Sequence, residues 1–352
     1  MSSIYSSEGV IALKNSTKND LELDIRLMLP EDAPGVVELY RSVYGDEYPI
    51  KSVYDVEGII RQQNNGDMIR TIGVSNKGQV LGQTAIYRSC VSNPALYEEG
   101  QAIVLREYRN QGILERCHDY AHNQVYPQIM EQLWGEAVCN HVFTQKSSIR
   151  AGGYETGIEL DLMPAASYQK EQSSSGRVAA VLFFKTYKAL AQTLYLPEIY
   201  EANLRYLYLA YDFGHTFLPA NKPLSAVPTR GQIEIYEGAG VARFTITELG
   251  SDLEIYLLQQ EKDALSRNAC VIQIYLNLAS PATGAAIEIL RKHQYFLGGV
   301  LPRWFDSDGL LMQKILHEPN YADIHLYSDR AQKILALIQA DREAVMSLQI
   351  LS

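Results

Sequence analysis

The chain has little cysteine, no long apolar run and no surplus of positive charge, and each absence removes a class of protein. Its four cysteines, Cys90, Cys117, Cys139 and Cys270, are scattered without a CxxC pair, which argues against a zinc knuckle or a disulfide framework. They read as reduced core thiols in a cytoplasmic protein. No stretch reaches the roughly 18 consecutive apolar residues of a membrane span, and Met1 to Asp20 lacks the basic-then-apolar pattern of an export signal. A soluble chain with a polar, mobile tail over 1–22 is expected, with no membrane partner. The formal net charge of −10 is opposite to the footprint of a protein that neutralises nucleic-acid phosphates, whereas a cationic small molecule is compatible with it.

What is present is more apolar residue than one domain needs: 352 residues at 47% hydrophobic predict two cores. Ile25 to Leu29 reads as a strand stopped by Pro30, followed by a helix whose apolar positions Ala33, Val36, Val37 and Tyr40 recur at helical spacing. A second helix is expected over Val53 to Gln63. Met68 to Ser75 and Val80 to Val91 flank Asn76-Lys77-Gly78-Gln79 and read as a hairpin. Gln101 to Leu105 reads as a strand buried on both faces that leads into Arg109-Asn110-Gln111-Gly112. Beyond the glycine, Ile113, Cys117, Ala121 and Val125 form a helical stripe that Pro127 should kink or end. A strand over Trp134 to Cys139, a helix over Gln145 to Ala151, an extended segment Tyr154 to Leu162, a flexible loop Tyr168 to Gly176 and an inner strand Arg177 to Tyr187 follow.

The second half repeats that order. Ile199 to Tyr211 reads as a helix, Gly231 to Glu237 and Val241 to Glu248 as a hairpin, and Asp252 to Ser266 as a helix. Cys270 to Leu278 reads as a strand, Ser280 as the cap of a helix running to His293, and Tyr295 to Leu301 with Leu310 to Ile315 as another hairpin. Asp306-Ser307-Asp308-Gly309 reads as that hairpin's connection, and no metal is expected. A last helix is capped by Ser328.

At Val104-Leu105-Arg106-Glu107-Tyr108-Arg109-Asn110-Gln111-Gly112-Ile113-Leu114 the chain resembles the acyl-CoA-binding motif of GNAT acetyltransferases, a Val and two variable residues before EYR-x-Q-G-x-G/A. Val104, Glu107, Tyr108, Arg109, Gln111, Gly112 and Ile113 match; Leu114 departs, since the family has a small residue there. The physics of such a loop is plain. The first backbone N–H groups of a helix lack intrahelical acceptors and sit at the positive end of its dipole, so a pyrophosphate satisfies both. Gly112 allows close approach, and Arg109 adds a cation.

The resemblance runs over residues 23 to 190 and implies an α/β fold with a mixed central sheet flanked by helices. Two such domains in tandem are expected: 23–192 binding acyl-CoA, 193–318 without the pyrophosphate loop, and 319–352 as a helical extension. It further implies acetyl-CoA or another acyl-CoA as co-substrate, held by Val104, Leu105, Arg109, Asn110, Gln111, Gly112, Ile113 and Leu114, with Thr144 and Gln145 on the pantetheine arm. The implied reaction moves an acyl group to the amine of a small molecule. A carrier-protein thioester as donor and a non-catalytic acyl-CoA sensor are the alternatives.

The family's thiolate-protonating tyrosine, four residues before the Gly-Phe pair, corresponds here to Ile149, and Tyr154 takes the place of that Phe. Acyl transfer still needs a group to take the ammonium proton and donors to polarise the thioester carbonyl. His141 and Glu136, beside the expected cleft, are the candidate bases, and Tyr154 is a candidate acid or a core residue.

Overall fold

Alternating strands and amphipathic helices build a mixed α/β fold around one sheet of twelve strands in the order β1-β2-β3-β4-β5-β7-β6-β13-β14-β12-β11-β10. The computed structural model describes residues 22–46, 48, 50–165, 176–211 and 213–348. The tail expected at 1–22, save its last residue, and the loop expected at 168–176, save Gly176, lie outside the described residues.

The first half comprises β1 (Leu23–Leu27), α1 (Ala33–Tyr44), α2 (Val56–Asn65), β2 (Met68–Ser75), β3 (Val80–Tyr87), β4 (Tyr97–Val104), α3 (Ile113–Tyr120), α4 (Tyr126–Ile129), β5 (Gln132–Val138), α5 (Phe143–Arg150), β6 (Tyr154–Met163) and β7 (Val178–Thr186). The second comprises β8 (Thr193–Leu196), α6 (Glu201–Tyr208), β9 (Thr216–Pro219), β10 (Arg230–Tyr236), β11 (Val241–Glu248), α7 (Leu253–Ser266), β12 (Val271–Asn277), α8 (Thr283–Lys292), β13 (Phe296–Leu301) and β14 (Gly309–Ile315). The final helix is α9 (Asp329–Ser347).

The repeat read from element order extends to the pairing of five strands in each half, while, among the described residues, β1 and β2 have no counterpart in the second. In the first half β3-β4 is antiparallel, β4-β5 parallel, and β5-β7 and β7-β6 antiparallel. In the second, β10-β11, β11-β12, β12-β14 and β14-β13 have the same senses in the same order. The two copies join through their equivalent last strands, β6 and β13, antiparallel at Gly157 and Gly299.

That seam needs both glycines. A Cβ on Gly157 would lie 2.5 Å from the Gly298 carbonyl oxygen, and one on Gly299, whose φ is +149°, would lie 2.3 Å from the Gly157 Cα. Where backbone pairing stops, the buried Gln313 side chain takes over. It donates to the carbonyls of Ile158 (3.0 Å) and Leu297 (3.3 Å) and accepts from the Leu160 N–H (2.9 Å). One apolar core crosses the seam, with Ile158, Leu160 and Phe183 from the first half and Phe244, Ile274 and Met312 from the second.

Helix α9 spans the same seam. Ser328 caps it as expected, accepting from Ala331 N–H (2.9 Å). Arg330 donates to the Glu155 carbonyl (2.9 Å), and Asp341 accepts from Leu297 N–H (2.7 Å) and from the Tyr200 hydroxyl (2.7 Å) while pairing with Arg291. The segment after 318 is therefore a clasp across both halves.

Two expectations need correcting, one is narrowed, and one strand was not read in the sequence. The helix expected to kink or end at Pro127 passes through a π turn over Ala121–Val125, and Pro127 sits in the first turn of α4, which stops at Ile129. Helix α8 begins at Thr283 with Ala282 as its N-cap, and Ser280 accepts from Ala282 N–H (3.3 Å) in the turn before it. Strand β9 pairs in parallel with β8 as a small second sheet, too short and exposed for its alternation to be read. Strand β4 is only partly buried, because β5 leaves it.

Candidate functional site

Strands β4 and β5 pair only at Tyr97-Leu133 and Glu98-Trp134 and then separate. The separation begins at a bulge: Gln101 has φ +51°, and the β3 register slips between Gln83 and Ala85. A left-handed glutamine costs roughly 1–2 kcal/mol, and its side chain is held in return. The Tyr40 hydroxyl donates to Gln101 Oε1 (2.8 Å), and the buried Gln83 amide donates to both the Gln101 carbonyl (3.3 Å) and the Tyr40 hydroxyl (3.0 Å). Beyond the bulge Ala102 is exposed inside the sheet, and β4 presents backbone donors and acceptors that no strand among the described residues covers.

Two cavities flank the opening on opposite faces. The larger, about 320 Å³, lies on the α3 and α5 side and runs from Leu114 past Ala102, Thr144 and Ser147 to His122 and Lys185. The smaller, about 210 Å³, lies between β4, β5 and the second half, bordered by Glu98, Glu234, Tyr236, Arg243 and Trp304. Trp134 and Glu136 border both.

Because successive strand residues face opposite ways, Glu98 and Glu99 belong to different cavities. On the helix side, His122 is buried between Glu99 (Nε2 to Oε1, 3.2 Å) and the Tyr187 hydroxyl (2.6 Å from Nδ1), with the Lys185 ammonium 3.3 Å from Nδ1. Burial pushes the Glu99 carboxyl up, but His118, His122 and the Tyr126 hydroxyl outweigh it and hold it down at about 2. Burial lowers the Lys185 ammonium below its ordinary value.

On the other side, burial and the neighbouring Glu136 push Glu98 up to about 7, against a short bond from the Tyr87 hydroxyl (2.5 Å). Glu159, deeper still, is pushed up to about 8 by burial and Glu136. Arg243, reaching in from β11, pairs with Glu136 (2.8 Å) and Glu159 (3.2 Å) and donates to Gln273 (2.7 Å). A titratable carboxyl poised near neutrality in a cleft is what proton transfer at physiological pH requires.

Of the segment Arg109 to Leu114, Leu114 alone lines the larger cavity. Asn110 and Gly112 are both left-handed, with φ +62° and +74°, and Gly112 caps α3, its carbonyl accepting from Arg116 N–H (2.9 Å). Arg109, Asn110 and Gln111 are exposed there. Arg150 pairs with Glu115 and Asp119, which offsets the carboxylates of the first turns of α3.

The other sequence candidates are distributed as follows. Leu114 and Thr144 line the larger cavity. Ile113 and Leu105 lie in the core, and Val104 packs against it. Gln145 is buried with its amide directed at the Val138, His141 and His325 carbonyls (3.4, 3.1 and 2.8 Å) and its oxygen at Tyr327 N–H (2.9 Å), a tether rather than a cleft contact. Glu136 borders both cavities. His141 borders neither and packs near the Phe143 ring. Tyr154 stacks on Tyr211 and bonds to Thr186 (2.6 Å), with its hydroxyl pushed up to about 12 by burial. Ile149 packs against the core.

Sequence reasoning missed Glu98, Glu99, His118, His122, Lys185 and Arg243. Two signals were available: the Glu-Glu pair opening an apolar strand, and histidines four apart on the helix after the glycine, hence on one face. Arg243 carried none beyond being a lone cation in an apolar strand.

No family model and no curated protein sequence matches the chain. Solved structures are similar to about half of it. They include the ribosomal-protein-S18-alanine N-acetyltransferase from Escherichia coli (13% identity, 50% of this chain and 100% of that one, TM-score 0.37). An aminoglycoside 6'-N-acetyltransferase complexed with coenzyme A is also similar (14%, 47% and 98%, 0.34). So is an N-acetyltransferase from Staphylococcus aureus Mu50 (11%, 47% and 99%, 0.38).

Proposed function

We propose that the chain is a GNAT-type N-acyltransferase whose first half, 23–192, binds acyl-CoA and whose second half, 193–318, completes the acceptor side. The observation that carries this reading is the separation of β4 from β5, with the cavity of α3 and α5 on one face and an acidic cavity on the other, near a helix-capping glycine loop. A pyrophosphate would sit on the Gly112 turn, where the helix end and Arg109 offer N–H donors and positive charge. The pantetheine amides would pair with the uncovered β4 backbone as an added strand does, bringing the thioester to the bulge.

The reaction then follows from the residues at the opening. An alkylammonium entering from the smaller cavity gives a proton to Glu98, whose raised carboxyl suits that task near pH 7. The amine nitrogen attacks the thioester carbonyl carbon, forming the C–N bond. Backbone N–H groups beyond Gln101 and the Trp134 indole N–H, buried without an acceptor among the described residues, are donors for the developing oxyanion. Collapse breaks the C–S bond, and the second nitrogen proton leaves to the thiolate sulfur, giving amide and CoA thiol.

Titration calorimetry with CoA and acetyl-CoA, followed by thiol release with a panel of small amines, tests this. Binding with amine-dependent thiol release is expected. No binding of either nucleotide overturns the reading, and tight binding without thiol release across the panel would leave a sensor of acyl-CoA.

A further inference from the structure

The larger cavity holds a group that the transfer step does not use. Lys185, near the end of β7, is among the described residues the only lysine or arginine in its lining, and most of the surface that this cavity exposes is apolar. The lysine nitrogen lies 4.9 Å from the centroid of the Tyr187 ring and 3.3 Å from His122 Nδ1. Glu99 is bonded to His122 and to the Tyr126 hydroxyl (3.3 Å) rather than to the lysine. Burial therefore outweighs the attraction of Glu99 at Lys185 and holds its ammonium below the ordinary value, which raises the share of neutral amine.

A desolvated lysine, a histidine within reach of its nitrogen and a carboxylate on the far side of that histidine are the parts of an activated nucleophile. His122 stands in the π turn that follows α3, four residues beyond His118, and both histidines line the cavity. Glu99 meets His122 Nε2 at 3.2 Å and stays ionised, so an imidazolium formed here has its counter-ion in place. Gly100 and Gln101, at the β4 bulge where a donor thioester would arrive, line the same cavity as Lys185.

We propose that Lys185 is a self-acylation site, taking the acyl group of an acyl-CoA bound in this cavity with His122 as its base. The inference rests on the acyl-CoA reading of the same cavity. The Lys185 ammonium gives one proton to His122 Nδ1, and the freed lone pair attacks the thioester carbonyl carbon. The C–N bond forms, the C–S bond breaks, and the thiolate takes a second proton from the nitrogen, which keeps the third as an amide N–H. His122 then releases its proton to water. An amide does not pass its acyl group on, so the modified chain retains it inside the cavity and loses the lysine charge there.

The full chain is incubated with acetyl-CoA, each lysine is followed by peptide mass spectrometry, and CoA binding is measured by calorimetry on the same sample. Lys185 is expected to gain one acetyl group at a rate that saturates with acetyl-CoA and falls when CoA is added. That rate should exceed those of the exposed Lys77 and Lys262 by at least about tenfold. Lys185→Arg, which keeps the charge, should remove the saturable, CoA-inhibited part of the mass gain of the whole chain. His122→Gln, which keeps a donor for Glu99, should slow the modification by about tenfold or more. A Lys185 rate equal to those of Lys77 and Lys262, or one that rises linearly with acetyl-CoA and ignores CoA, overturns the inference, because acylation then comes from solution. An unchanged rate in His122→Gln overturns the role of His122. No acetylation of Lys185 in a chain that binds CoA overturns the inference and leaves the acyltransferase reading standing, whereas no binding of CoA removes that reading and the inference with it.

Discussion

Glu98 and Glu99 are neighbours in β4, yet their surroundings drive their carboxyls in opposite directions, one up to about 7 and the other down to about 2. The strand pleat sends Glu98 towards Glu136 and Glu99 towards His118 and His122, so one chain position separates an acid poised for proton transfer from a locked anion.

The pair should read out as stability. Glu98 with a raised folded value favours the fold fully below its unfolded value of about 4.5, and this is lost as pH rises through about 7. Glu98→Gln removes that loss, so the variant should gain on the wild type by roughly 1–3 kcal/mol between about pH 4.5 and pH 8. Glu99 has the opposite sign: its contribution is present above about 4.5 and lost as pH falls towards about 2. Glu99→Gln should therefore be less stable than wild type at neutral pH and converge with it in acid. Denaturant midpoints across pH check both.

Gly112→Asp places a carboxylate where the phosphates would sit. A Cβ there meets only Glu115 Oε2 at 3.8 Å, so the fold should survive at a cost of roughly 1–2 kcal/mol for the left-handed backbone. CoA affinity should fall at least about a hundredfold, read by calorimetry. Unchanged affinity would remove the loop from the donor site.

His141 and Glu98 are alternative proton acceptors that one pair of variants separates. Glu98→Gln should slow acyl transfer by about 10²-fold or more with CoA affinity kept. His141→Ala should change the rate by less than about threefold, since its ring borders neither cavity. The reverse pattern in single-turnover kinetics would make His141 the base.

Gln313→Leu tests the seam. It leaves the Ile158 and Leu297 carbonyls and the Leu160 N–H without the partners that Gln313 supplies. A loss of about 2–4 kcal/mol is expected, given roughly 1–3 kcal/mol for each buried group left unsatisfied and some relaxation. A cooperative unfolding transition that splits in two would show that this side chain holds the halves together.

Much of the architecture was legible in the chain itself. Apolar periodicity, glycine turns and the Ser328 cap act within a few residues, so β2, β3, β5, β7, α7 and α9 fall close to where the pattern puts them. Gly112 at a strand-to-helix turn is likewise a local matter of backbone freedom, and the order of elements already carried the repeat. Tertiary structure decided what depends on distant partners. The departure of β5 from β4 is set by a bulge that Tyr40 and Gln83 hold from other elements, and it turns an expected buried strand into the wall of a cleft. The junction at Gly157 and Gly299 brings Arg243 to Glu136 and Glu159, 107 and 84 positions away in the chain. Whether a glutamate is a solvated charge, a locked anion or a proton acceptor depends on desolvation and neighbouring charge, and no local pattern encodes either.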